Sequence, residues 1–341
     1  MKANDFAWYL SAFLSKYLPG EKKLSMNTIA VYRDSFKLFL TFCDKNKSIP
    51  PDKIALSKLT KPLVLDFLDW IESSRGGSVA TRNQRLSSIK GFVSFVQSES
   101  PDNLFELSRI LGISSKKAPK TIVPYLTEPE LKILFAQPDL STREDRRDFA
   151  LITFMFDTAA RVQELCDLKV KNLRLTSPAV VTLRGKGDKS RQMPIIEQTK
   201  LIMAEYIKEH KSLAWGISFD DVPLFVNQQR QPLSRWGVSY ILDKYVEMAK
   251  SNPDFSVSFP VTPHVLRHSK PMAMLKAGIP LIYIRDFLGH VNISTTEVYC
   301  RADNEMKRKY LEEAYKDLNP QEFPQWEDDK NLLTWLNELC K

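Results

Sequence analysis

The 341 residues exceed what one compact core usually holds, and 43% apolar with 26% charged side chains is ordinary globular usage, which excludes a peptide ligand, a collagen-like chain and a disordered one. No apolar run approaches the ~18 residues of a spanning helix. The longest, Phe149 to Phe156, stops at Asp157, and Asp5 interrupts the N-terminal apolar stretch, so neither a membrane span nor a signal peptide is expected. The net charge of +8 is uneven: residues 1–118 carry +7, residues 119–299 carry +4 and residues 300–341 carry −3, a basic front suited to a polyanion such as nucleic acid.

In chain order, apolar residues recur at helical spacing from Phe6 to Tyr17, from Ile29 to Cys43 and from Leu63 to Ile71. A fourth helix follows the Gly76-Gly77 break, with Leu86, Ile89, Phe92, Val93 and Val96 inward and Arg82, Arg85 and Lys90 on another face. Those three cations are either phosphate contacts or an ordinary solvated face, and the aromatic residues read as core. Residues 114–120, with Lys116, Lys117, Lys120 and Pro119 and no apolar period, read as a basic linker. Thr127 and Glu130 form a capping box that opens the next helix, through Leu134. Helices are then expected at 145–159 and 161–168, followed by a hairpin of Val180 to Arg184 and Gln192 to Ile195 around the basic tip Gly185-Lys186-Gly187-Asp188-Lys189-Ser190. Further helices are expected at 198–211, 234–250, 263–276, 281–288, 294–300 and 304–317. The fold class is therefore mainly α, with one small antiparallel sheet. Three parts are expected: 1–118 helical, 119–318 mostly helical and 319–341 a tail.

Cys43, Cys166, Cys300 and Cys340 are scattered with no CxxC pair, so neither a disulfide framework nor a zinc site is expected, and the cytoplasm is the compartment. Three of the four histidines, His264, His268 and His290, fall near the end of the second block. Thr262 caps and Pro263 opens a helix there, which sets His264 and Arg267 at i, i+3 on one face, able to reach one phosphate. His264 and His268 lack the Glu of an HExxH site, so no metal is expected. His268 is read as structural, pointing elsewhere on the helix, and Tyr283 as core.

Taken together, Thr158-Ala159-Ala160-Arg161-Val162-Gln163-Glu164-Leu165, the Gly185-Lys186-Gly187 hairpin, His264-Val265-Leu266-Arg267, Leu288-Gly289-His290 and Tyr299 resemble the tyrosine recombinase (phage integrase) family, of Xer-like, mobile-element type, over about residues 10–317. The family's Arg, Lys, HxxR, His and Tyr match Arg161, Lys186, His264, Arg267, His290 and Tyr299. The resemblance implies a SAM-like, core-binding helical domain and a catalytic domain that clamp duplex DNA, with Tyr299 as nucleophile and a 3′-phosphotyrosyl intermediate. A phenol is a weak nucleophile beside an anionic phosphodiester, so Arg161 and Arg267 suit charge stabilisation and Lys186 suits protonation of the leaving 5′ oxygen. The resemblance gives His264 and His290 proton transfer and phosphate hydrogen bonding. Glu164, one turn after Arg161, is positioned to orient Arg161 or His264. Lys189 and Arg191 read as DNA backbone contacts beside Arg82, Arg85, Lys90, Lys116 and Lys117.

The resemblance further implies strand exchange through a Holliday junction by a homo-tetramer on specific double-stranded sites, in integration, excision or transposition. No cofactor or membrane is involved, and accessory proteins are possible partners. A type IB topoisomerase-like enzyme and a catalytically impaired DNA-binding protein are the alternatives. Pro271 supports the last, because it cannot donate to the Arg267 carbonyl and should bend or loosen that helix. With the first helical block at the start of the sequence, no arm-site domain is expected ahead of it. The tail, with Trp326, Leu332, Leu333, Trp335, Leu336 and Leu339, is amphipathic and expected to dock on its own domain or on a neighbouring protomer.

Overall fold

In the computed structural model, residues 5–100, 104–118, 123–185, 190–210, 218–289, 295–302, 308 and 332–339 are described. The chain divides into two units, Met1–Lys120 and Thr121–Lys341.

The N-terminal unit is built from α1 (Asp5–Ala12), a π-helical extension over Phe13–Glu21, α2 (Met26–Lys47), α3 (Lys61–Ser73), α4 (Val79–Glu99) and α5 (Leu104–Leu111). Each longer helix starts on a hydroxyl cap: Ser25, Thr60 and Ser78 accept from the N–H three residues on. Gly77 makes the α3–α4 turn possible, because a Cβ there would stand 2.7 Å from the Ile71 carbonyl oxygen. The aromatic residues are core. Phe6, Phe36 and Phe92 meet edge to face with centroids 5.1–6.4 Å apart, and Phe39 meets Phe67 at 5.3 Å.

Arg82 corrects one expectation. It is buried on the stripe of Leu86, Ile89 and Val93, with its guanidinium held by Asn83, the Ser114 carbonyl and Glu72. The reason is spacing: 82, 86, 89 and 93 share one helical face, and Glu72 on α3 supplies the countercharge. Arg85 is half-buried and donates to Ser35 Oγ at 2.9 Å, Lys116 pairs with Glu72, Lys90 is half-buried and Lys117 is exposed.

The C-terminal unit contains α6 (Glu128–Phe135), α7 (Arg143–Thr158), α8 (Val162–Cys166), β1 (Leu173–Arg174), β2 (Val180–Arg184), β3 (Ser190–Pro194), α9 (Glu197–His210), α10 (Arg235–Ala249), α11 (Pro263–Lys276), α12 (Leu281–Leu288), α13 (Glu297–Ala302) and α14 (Leu332–Glu338). The sheet is antiparallel in the order β1-β2-β3, and the short β1 was not anticipated. Its register places Val181 opposite Met193 and Leu183 opposite Arg191, so the alternation of β3 turns Arg191 and Met193 to the same, core-facing side. The main core gathers apolar residues of α6 to α11 and the sheet. A second cluster joins Ala159, Met272, Leu275, Ile284, Leu288 and Tyr299.

Helix α11 does not end at Pro271: it continues for five more residues, with Pro271 and Met272 buried. Tyr283 is not core but 65% exposed, because α12 turns Ile284 and Leu288 inward and leaves its other face outside. Lys186, Lys189, His290, Trp326 and, apart from Arg308, the helix expected at 304–317 lie outside the described residues. Within α14, Leu336 and the following Leu339 are more than half exposed. Among the described residues, no helix is long and apolar enough to cross a membrane.

Candidate active site

Arg267 sits at the ends of two helices. Thr262 Oγ1 accepts from the Val265 N–H and Pro263 fills the first turn, so α11 starts where the sequence places it and aims Arg267 inward. Its guanidinium donates to the Ala159 carbonyl, at the C-terminus of α7, and to the Leu288 carbonyl, the last residue of α12, at 3.0 Å. Both acceptors are carbonyls that helix ends leave unpaired, at the negative poles of their helices, so they suit a buried cation. Burial, then the nearby Arg161, pull the Arg267 guanidinium down to about 10, which leaves it charged at neutral pH. One side chain thereby ties the turn before Arg161 to the end of α12.

Arg161 stands at the N-cap of α8, 40% exposed at its side chain, two residues after the left-handed Ala159. Glu164, one turn on, accepts from the Arg161 N–H at 2.9 Å and from its Nη1 at 2.7 Å. The same carboxylate accepts two bonds from Arg191, both at 2.8 Å, which fills the four lone-pair positions of a carboxylate. Burial would raise the Glu164 carboxyl, but Arg191 and the Arg161 N–H outweigh it and hold it at about 2. Arg191, expected on a DNA backbone, is instead 15% exposed and aimed at Glu164.

Tyr299, on α13, is 1% exposed, its ring set in the cluster of α11 and α12. Its hydroxyl lies 2.8 Å from His268 Nδ1. Burial, only partly offset by Arg267, raises the phenol to about 12. Burial, then His264 and Arg267, lower the His268 imidazole to about 4, so a neutral ring meets a neutral phenol at physiological pH. His268 therefore does not point away from the site. Four-residue spacing puts it on the face of His264, whose ring centroid is 6.4 Å away, and the spacing alone could have found this.

His264 is exposed, and burial of part of its ring together with Arg267, Arg235 and Arg161 lowers its basicity. It lines a depression of about 720 Å³ between α8 and the first turns of α10 and α11, with Arg235 and the 86% exposed Trp236 at its edge. The structure thus brings Arg161, Glu164, Arg191, Arg267, His268 and Tyr299 into one connected cluster, with His264 beside it.

Comparison with known proteins agrees with this architecture. Residues 124–306 match the phage integrase family, and residues 11–100 match the phage integrase N-terminal SAM-like domain. A putative integrase/recombinase, y4rC of Sinorhizobium fredii, is 33% identical over 99% of both chains, and the tyrosine recombinase XerC of Bacillus licheniformis is 32% identical over 88% of this chain and 94% of its own. Among solved structures, the XerH site-specific recombinase in a post-cleavage complex with its difH substrate shares the fold at a TM-score of 0.67, 21% identity and coverage of 90% and 84%. The Tn1549 transposon integrase, solved with transposon right end DNA, does so at 0.65, 18% identity and coverage of 89% and 98%. The chain belongs to the phage integrase family, the tyrosine site-specific recombinases, which are DNA strand transferases.

Proposed function

We propose that this chain is a site-specific recombinase that cleaves and rejoins duplex DNA through Tyr299, exchanging strands by way of a Holliday junction to integrate, excise or transpose DNA. The observation that carries the reading is the convergence of a buried tyrosine hydroxyl, a neutral imidazole at 2.8 Å and two guanidiniums linked through the Ala159 turn. Arg161 and Arg267 neutralise the scissile phosphate and the charge that grows on its nonbridging oxygens. The phenol oxygen forms a bond to phosphorus while the bond from phosphorus to the 5′ oxygen breaks, leaving a 3′-phosphotyrosyl ester. The phenol proton passes to His268 Nδ1, already at hydrogen-bond distance, and Lys186 protonates the departing 5′ oxygen. His264 and His290 hydrogen-bond the phosphate. One phosphoester replaces another, so strand energy is conserved and no cofactor is required.

In this reading residues 1–118 form the core-binding domain and 119–318 the catalytic domain. Residues 319–341 contact an adjacent protomer in a tetramer that joins two sites, with or without accessory proteins, on nucleoid DNA in the cytoplasm. Lys116, Lys117, Lys90 and Lys189 serve the phosphate backbone.

A suicide duplex, nicked next to the cleavage position so that the 5′ fragment escapes, tests this. The wild-type chain should leave protein covalently attached to a DNA 3′ end, equally well in EDTA, because its guanidiniums supply the positive charge; Tyr299→Phe should leave none. An adduct formed by Tyr299→Phe would move the nucleophile elsewhere, and loss of the adduct on chelation would overturn the roles of Arg161 and Arg267.

A further inference from the structure

Arg191 lies where three segments meet. Strand pairing opposite Leu183 turns it inward from β3. Its two terminal nitrogens both bind Glu164 at 2.8 Å, on α8. Its Cδ lies against Gly289, at the C-terminus of α12, so closely that a Cβ there would stand 2.9 Å away. Gly289 has φ +64°, a conformation that glycine adopts without strain, and the absence of a side chain there leaves room for Arg191. Both terminal nitrogens bind Glu164, so Arg191 reaches the site through that carboxylate.

The charge arrangement gives this burial a purpose. Glu164 accepts two bonds from Arg161, and a carboxylate paired with Arg161 alone would cancel its charge. Arg191 supplies two of the four hydrogen bonds Glu164 accepts, leaving Arg161 to give one backbone and one side-chain bond while remaining 40% exposed. Arg161, Arg191 and Glu164 together then keep a net charge of one positive unit. Arg267, lowered in basicity by both arginines and supported by Glu164, lies within the same field.

We propose that Arg191 is a positioning residue for recombination: by saturating Glu164 it keeps Arg161 turned outward and cationic toward the scissile phosphate. This rests on the reading of Arg161 and Tyr299 given above. It differs from a structural role in one respect: the effect of losing Arg191 should require Arg161.

A double-mutant cycle on the full-length chain measures this, reading single-turnover adduct formation on the suicide duplex and, separately, equilibrium binding to the uncleaved duplex. Arg191→Ala should slow adduct formation ~10²-fold, the scale of a misplaced catalytic group, with duplex affinity unchanged. In an Arg161→Ala background the same substitution should cost almost nothing further. Arg191→Lys, which keeps the charge and loses the fork, should fall between the two and provides the measurement where Arg191→Ala does not fold. Equal losses in both backgrounds would make Arg191 merely structural, loss of duplex affinity in step with rate would make it a DNA contact, and a wild-type rate for both variants would remove the role. Tyr299→Phe and Arg161→Ala on the wild-type background serve as controls. If either cleaves normally, the reading of the site fails and this inference fails with it; if both are defective while Arg191 variants are normal, only this inference fails.

Discussion

Glu164 and Asp148 are both buried carboxylates of the C-terminal unit, and their surroundings push them in opposite directions. Asp148 receives a two-pronged bond from Arg147 at 2.7 and 2.9 Å and the Tyr245 hydroxyl at 3.0 Å, yet burial outweighs these and raises its carboxyl. Glu164 receives two guanidiniums and a backbone N–H, and is held down at about 2. The environments also differ in where they lead. Each group holds one arginine at 15% exposure and reaches the surface through one cation, Lys244 at 38% in the Asp148 group and Arg161 at 40% in the Glu164 group, but Arg161 alone of the two stands near Arg267 and His264. An exposed cation does not separate the two groups; its neighbours do, because Arg161 shares its surroundings with Arg267 and His264. Burial alone would not distinguish them.

The largest effects should separate the two groups cleanly. Arg161→Ala should slow adduct formation ~10²–10³-fold while leaving the melting temperature nearly unchanged, since it removes an exposed donor to the transition state. Asp148→Ala should do the reverse: it strands the Arg147 guanidinium and should cost about 3–5 kcal/mol of stability, with an unchanged rate per folded molecule. Parallel calorimetry and single-turnover cleavage would show the crossing. Comparable rate losses for the two variants would erase the distinction.

A smaller effect sharpens it. The Glu164 carboxyl is held at about 2 against an ordinary 4.5, so its ionised form contributes stability that is fully present above about pH 4.5 and is lost as pH falls through about 2. At roughly 1.4 kcal/mol per pH unit this amounts to on the order of 3 kcal/mol. Glu164→Gln should therefore be less stable than the wild type at neutral pH, and the gap should narrow as a denaturation series is taken from pH 5 toward 2. A gap independent of pH would mean that the carboxylate charge is not what holds α8 to β3.

The sequence made much of this legible where signals are local. Thr262-Pro263 marks the start of α11, Thr127 and Glu130 mark α6, and the period-two run marks β2 and β3, because caps and alternation are short-range. Local reading failed where a distant partner decides. The spacing of Arg82 from Leu86, Ile89 and Val93 puts it on the inner face of α4, but the Glu72 and Ser114 partners that let a cation stay there are not visible from the sequence of α4. The charge of Arg191 suggests DNA, but its two-residue spacing from Met193 places it on the inner face. His268 and Tyr283 failed for opposite reasons. The first has a partner 31 residues away, and the second sits in an apolar segment of which only the face carrying Ile284 and Leu288 is covered. The strand β1 is too short to give a period at all.

The central proposal, that Tyr299 attacks a scissile phosphate held by Arg161 and Arg267, has a direct measurement. The covalent complex formed on a suicide duplex is digested with protease, and the peptide retaining the nucleotide is sequenced by tandem mass spectrometry. The account predicts a 3′-phosphotyrosyl linkage on Tyr299. A linkage on another residue, such as the exposed Tyr283, would contradict it.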